Sequence, residues 1–254
     1  MKQLIYSAFI TILLVSVNGC KKEYETVSLT ADANYFPDDS GTFVIYKVDS
    51  ILYNDFFFNS DLSQYQRSTS YFLKEKITEQ FIDNLGRTAR KIERYVTDDT
   101  LLHPFVEVNN VWYQVKTDRN VEVIEDNIRY VKLTFPVSKS SEWKGNKYFL
   151  NEIPFQPLKN SNIKFDWTYT VSDKDVRYSN GIKVFDSTLT ILQIADSSKV
   201  NKLFSEEKYA RKIGLVNKEL WRLDAQPIPG EPNFLKSKLN GFIYRQTALS
   251  YGKE

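Results

Sequence analysis

Cysteine, histidine and methionine each occur once in these 254 residues, and glycine and proline only nine and eight times. A lone cysteine leaves no partner for a disulfide, and with a lone histidine it leaves no Cys/His set for zinc. No Gly-x-Ser-x-Gly turn is present to carry Ser-His-Asp chemistry, so His103, set before Pro104, reads as a loop residue. An excess of one charge is missing too. The 34 basic and 32 acidic side chains nearly balance, which excludes the strong field that would point to nucleic acid. The longest apolar stretch, near the N-terminus, runs for about a dozen residues with interruptions at Ser7 and Thr11, short of the roughly 20 a helix needs to cross a membrane.

What is present at the N-terminus is ordered. Lys2 supplies a charged region, Leu4 to Val15 an apolar one, and Ser16 to Gly19 a short small and polar stretch, the layout of a cleavable signal peptide. It ends in Val17-Asn18-Gly19-Cys20, which resembles the lipobox of bacterial lipoproteins. That resemblance implies cleavage after Gly19, lipid on the Cys20 sulfur and acylation of the freed amine. Two or three acyl chains hold far more firmly than one, at about 0.8 kcal/mol per buried methylene. The expectation is a membrane partner reached through a lipid anchor, in the cell envelope and at the outer membrane. With residues 1–19 removed the side chains carry 33 basic against 32 acidic groups.

The remainder is rich in aromatic residues, with 16 Tyr and 17 Phe, which favours strands, where such side chains pack across a pleated face. Residues 20–37 read as the lipidated cysteine and a tether, polar from Lys21 to Ser28, with Tyr35 and Phe36 docking on the first sheet. An N-terminal β half, 38–137, follows. It holds a strand from Thr42 to Leu52, a hairpin of Thr69 to Phe81 and Arg87 to Val96 around Asp83-Asn84-Leu85-Gly86, and strands at Val111 to Lys116, Val121 to Ile124 and Ile128 to Phe135. Residues 138–162, with Pro154 and Pro157, read as an irregular connection. In the C-terminal half, 163–254, Ile163 to Val171 alternates apolar and polar residues, Ser172 to Gly181 reads as a loop, and Ile182 to Ala195 as a strand. Lys199 to Lys212 fits strand or short helix. Ile213 to Leu223, despite apolar spacings of three and four, reads as strand, as does Gly241 to Tyr251. Strands joined by short turns imply antiparallel pairing. The expected fold is mainly β, a curved sheet or an open or closed barrel, in one unit or two subdomains.

Candidate chemistry is thin. Asp38-Asp39, Asp98-Asp99 and Asp173-Lys174-Asp175 are the acidic pairs, and paired carboxylates hold calcium or hydrolyse glycosides. The Asp173 stretch opens like a calcium loop but has Tyr178 where the sixth position needs glycine, so no metal, cofactor or catalytic set is assigned. Phe56-Phe57-Phe58 reads as a loop cluster, either packed over the sheet or open to a partner or apolar ligand. Among Trp112, Trp143, Trp167 and Trp221, only Trp143, beside Gly145 and Asn146, reads as a loop indole free to stack on a ligand.

Several segments together resemble an uncharacterised family of lipoproteins from Bacteroidetes-type bacteria. They are Asn84-Leu85-Gly86-Arg87 leading to Ile92-Glu93-Arg94-Tyr95, Trp112, Asp126 to Val137, Trp143-Lys144-Gly145-Asn146, Glu207-Lys208-Tyr209-Ala210 and Ile213-Gly214-Leu215-Val216. The resemblance implies a β-rich envelope protein and brings no assigned activity. The reading is therefore an anchored envelope protein with a β-rich binding or structural domain, which takes an apolar ligand or another envelope protein as partner. The alternative is an envelope glycan hydrolase using paired carboxylates.

Overall fold

In the computed structural model, residues 32–54, 66–101, 104–148, 167–230 and 232–254 are described. Alternation decides the first strand, β1 (Thr42–Asn54): Val44, Tyr46 and Val48 are buried on one face, while Lys47 and Asp49 stand on the other. This period-2 pattern puts one face of a sheet against a core. β2 (Gln66–Ile82), β3 (Thr88–Thr97), β4 (Asn110–Lys116), β5 (Asn120–Glu125) and β6 (Ile128–Thr134) follow, with β5 buried on both faces from Val121 to Ile124. The chain continues through β7 (Glu142–Lys144), β8 (Thr168–Ser179), β9 (Val184–Ser197), β10 (Asn201–Ala210), β11 (Gly214–Gln226) and β12 (Lys238–Lys253).

All pairings are antiparallel and form one 12-stranded sheet in the order β6-β5-β4-β3-β2-β1-β12-β11-β10-β9-β8-β7. Each ladder joins strands adjacent in sequence, except that β1 pairs with β12 along its whole length, which leaves β6 and β7 as the two edges. The sheet curls into a nearly closed barrel with one unsealed seam, between β6 and β7. Across that seam the Val131 N–H donates to the Gly145 carbonyl (2.9 Å), and the Trp143 indole donates to the Val131 carbonyl (2.7 Å). Among the described residues helix is limited to a short turn at Asp32 and Ala33 and the 3-10 turn Phe234–Lys236.

The expected strands are in place with two corrections, at β8 and at β7. Residues 172–179, read as loop, continue β8, and three register shifts against β9 explain why the alternation is lost there. Residues 163–166 lie outside the described residues. Lys199 to Lys212, ambiguous in sequence, forms β10, and Trp143 stands on β7 instead of in a loop. The largest core cluster joins Ile92, Val121, Val123 and Leu133 with Tyr169, Leu189, Ile191 and Tyr209, so both halves of the sheet contribute to it.

The two ends of the barrel differ. One carries the short turns at 83–87, 117–119, 180–183 and 211–213, and it is plugged by the segment Asp32 to Asp38. Tyr35 and Phe36 are buried there. The Phe36 and Pro37 carbonyls accept from Lys116 (2.8 Å) and Gln114 (2.8 Å), and Asp32 pairs with Lys174 (2.8 Å) and accepts from the Val137 N–H (3.0 Å). The opposite end carries, among the described residues, 98–101 and 104–109 after β3 and 227–230 and 232–237 after β11. The outward face of the strands holds Lys47, Asp49, Lys74, Lys76, Lys91, Glu93, Glu219 and Arg245 in ion pairs. A lipid-spanning barrel needs an apolar outward band about 25 Å tall, so this charged belt does not face hydrocarbon.

Candidate functional site

Inside the barrel, four charged side chains from four strands meet. Lys132 on β6 reaches Glu125 on β5 (2.8 Å) and Glu207 on β10 (3.0 Å), and Lys218 on β11 reaches the same Glu207 oxygen (3.2 Å). The Tyr209 hydroxyl donates to the other Glu207 oxygen, and the pair Glu75–Arg94 (3.0 Å) lies beyond on β2 and β3. The Arg94 guanidinium lies over the Trp112 ring at 3.6 Å, and the Trp112 indole donates to Asp126 (3.2 Å).

Strand registry explains how these groups come together. Glu207 stands opposite Lys218 in the β10–β11 ladder, and Glu75 opposite Arg94 in the β2–β3 ladder. Opposite charges at directly facing positions are a favourable cross-strand pairing. Lys132 comes from the far side of the barrel, 75 residues from Glu207 in sequence.

Burial alone would raise the Glu207 carboxyl, but Lys132 and Lys218, with Tyr209 donating, hold it at about 2. Glu125 is likewise pulled below the ordinary carboxylate range against burial by Lys132 and Lys218. Burial would lower the Lys132 ammonium, and Glu125 and Glu207 instead lift it well above an ordinary lysine. The result is a tetrad of two acidic and two basic side chains whose formal charges balance, with both carboxyls held in the ionised form. Such a set lacks the protonated carboxyl that a glycosidase uses as its acid.

Beside the tetrad lies a chamber of about 90 Å³, lined on its polar side by Glu75, Gln114, Glu125, Lys132, Glu207 and Gln246 and on its apolar side by Phe36, Val44 and Ile77. The buried Gln246 accepts from Tyr244 (2.8 Å), while its amide nitrogen has no protein partner. A cavity of this size and polarity has room for several waters, since one needs about 10–15 Å³ and two to four polar partners.

A second ionic cluster lies on the outward face. Glu122 on β5, almost fully buried, is held by Arg87 (2.9 Å) and Arg129 (2.5 Å), and Arg87 also grips Asp83 (2.8 Å). A third ties the plug to the barrel wall: Asp175 accepts from the Tyr35 hydroxyl (2.7 Å), Ser187 (2.7 Å) and Arg211 (2.7 Å). Burial would raise its carboxyl, but these donors hold it at about 2.

Of the residues singled out in sequence, Asp175 stands in this third cluster, and the others fall elsewhere. Asp38 pairs with Lys116 at the plugged end (3.2 Å), and Asp173 with Lys139 (3.4 Å). Asp99 accepts from the Leu101 N–H (2.7 Å) in a turn at the opposite end. The three acidic pairs therefore lie apart, one at the plugged end, one in a turn at the opposite end and one along β8. Trp143 packs edge-on against Tyr169 (5.9 Å) with its indole N–H bound across the seam. Gly19, Cys20, Phe56, Phe57, Phe58 and His103 lie outside the described residues. Among the described residues no group of three or more His, Cys, Asp or Glu is placed to hold a metal ion. Glu125, Lys132, Glu207 and Lys218 were missed because each looks like the wet side of a strand. The one signal was Lys132 inside the run Ile128 to Phe135.

No protein-family model and no curated protein matches the chain. A solved structure from Bacteroides fragilis, of a protein described as exported and of YmcC-like fold, aligns over 86% of this chain and 98% of that one. The identity is 11% and the TM-score 0.38, too distant a likeness to carry a functional argument.

Proposed function

We propose that this chain is an envelope lipoprotein, anchored in the outer membrane through Cys20, whose barrel is a binding or structural module. The observation that carries the reading is the way the chain enters the fold. Twelve residues after Cys20, Asp32 is buried and ion-paired to Lys174, and the segment behind it plugs the barrel. An acyl anchor at Cys20 would lead into the fold at this end, and residues 98–101 and 104–109 stand at the other. There Leu101 is 91% exposed, with Val106 and Val108 also open to solvent. Exposed aliphatic side chains grouped on one loop suit contact with an envelope protein or an apolar ligand.

The balanced, ionised tetrad supports a scaffold role for the interior: its charges satisfy one another. The test of the anchor is direct. Cys20→Ser abolishes acyl labelling and leaves the precursor uncut; normal processing and membrane retention in that variant overturn the reading. For the binding role, a photo-crosslinker at position 106 in cells, with lipid extraction and mass spectrometry of the purified protein, is expected to yield a partner or a ligand. A blank in both overturns it.

A further inference from the structure

Two hairpin tips at the plugged end carry side chains that their turns do not need. In the β2–β3 turn, Asp83 accepts from the Leu85 N–H (2.9 Å) and the Arg87 N–H (2.9 Å), and Gly86 takes a positive φ of 73°. In the β8–β9 turn, Asn180 accepts from the Ile182 N–H (2.9 Å) and the Lys183 N–H (2.8 Å), and Gly181 takes φ 85°. Asp, Asn and Gly do the turning, and polar residues are the usual choice at such tips. Instead Leu85 is 67% exposed, Ile82 63%, Ile182 58% and Val184 52%. Beside the second tip stands the exposed Tyr251, with Lys183 over its ring at 5.7 Å. An amphipathic aromatic with a long cation is typical of the headgroup level of a bilayer.

The tether decides what covers these tips. Residues 21–31 span at most about 40 Å when fully extended, and about 20 Å as a relaxed coil. The 13 residues of β1 alone rise about 43 Å along the strand. Only a taut tether running along the barrel wall would bring the end opposite the plug to the lipid, whereas a relaxed one leaves the plugged end against it. We infer that the plugged end of the barrel rests on the phospholipid surface, with Ile82 and Leu85 of one hairpin and Ile182 and Val184 of the other entering the headgroup region. This rests on the lipid anchor at Cys20.

The lone cysteine makes the test clean, because an acylated Cys20 leaves an introduced thiol as the one labelling site. Leu85→Cys, Ile182→Cys and, at the opposite end, Leu101→Cys are made in the full chain, purified with their acyl groups and placed in vesicles of phosphatidylethanolamine and phosphatidylglycerol. Each carries a polarity-sensitive dye, and nitroxide-headgroup lipids serve as quencher. Tips seated about 5–10 Å into the interface are expected to be quenched at positions 85 and 182 about two-fold or more above position 101. Equal quenching at all three positions, or none at the tips, overturns the inference. So does blue-shifted emission at the tips without quenching, which would mean that protein covers them. Intact mass on the same samples separates the two readings: unacylated Cys20 overturns the anchor and this inference together, whereas acylated Cys20 with unquenched tips overturns this inference alone.

Discussion

Glu207 and Glu254 are each held by two lysines and each pulled down to about 2, yet one lies inside the barrel and the other on its surface. Glu207 is 1% exposed between Lys132 and Lys218. Glu254 is 46% exposed between Lys74 (2.6 Å) and Lys76 (2.8 Å), whose hydrogen bonds lower its carboxyl. The charged partners are the same in kind and number, and Glu207 has the Tyr209 hydroxyl in addition. What differs is the surrounding medium, which decides how much the loss of one member costs. A buried ion that loses its partner has no water to fall back on, while a surface pair is screened and offset by side-chain entropy.

The largest effect is therefore expected inside. Glu207→Gln leaves Lys132 and Lys218 short of a counter-charge and should cost about 3–5 kcal/mol of stability, read from urea unfolding. A loss under about 1 kcal/mol would put Glu207 in the same class as Glu254. Replacing Glu125, Lys132, Glu207 and Lys218 together by apolar residues of similar volume should instead come out near neutral, since buried ion clusters seldom outperform good packing.

Acid sharpens the same contrast. A carboxyl whose folded pKa lies below its unfolded one contributes stability that is full above the unfolded value and is lost as pH falls through the folded value. For Glu207 and Glu254 that window runs from about 4.5 down to about 2. Wild-type stability should fall across it, and the fall should be shallower in Glu207→Gln. Raising salt should leave the Glu207 share intact and erase the Glu254 share, as a Debye length of about 3 Å at 1 M requires.

Asp175 is intermediate: half-exposed, but held by three side chains and tied to the plug through Tyr35. Asp175→Asn should cost about 1 kcal/mol and speed amide exchange in residues 32–36 relative to the far strands. Unchanged exchange would mean that the plug stays in place without it. The smallest effect belongs to Glu254→Gln, about 0.2–1 kcal/mol at low salt and nothing measurable at high salt.

Strands were legible wherever one face is apolar and the other polar. β1, the β2–β3 hairpin, β9 and β12 followed from alternation and turn residues, and so did the barrel-like class. β8 was cut short because Asp173, Lys174 and Asp175 mimic a loop, and because the bulges against β9, with Asp175 at a positive φ of 58°, break the period of two. The tetrad was illegible for a different reason. Glu207 stands between Glu206 and Lys208, and Lys218 between Asn217 and Glu219, so nothing local tells the inward side from the wet one, and only closure of the sheet turns these charges inward. The seam role of Trp143 depends on β6 and β7 being the two edge strands, a property of topology that no local pattern carries.

The pairing of β1 with β12 has a consequence for how the molecule forms. Every other ladder joins strands adjacent in sequence and can zip locally as a meander, but this one joins the first strand to the last. Loop closure over nearly the whole domain is entropically slow compared with hairpin formation. Two open half-sheets, β1 to β6 and β7 to β12, should therefore precede the closed form, each with an unpaired edge open to intermolecular association. The nascent chain stays in that exposed state until its final strand emerges, so a late truncation that removes β12 leaves a lasting aggregation hazard in place of a slightly weakened barrel.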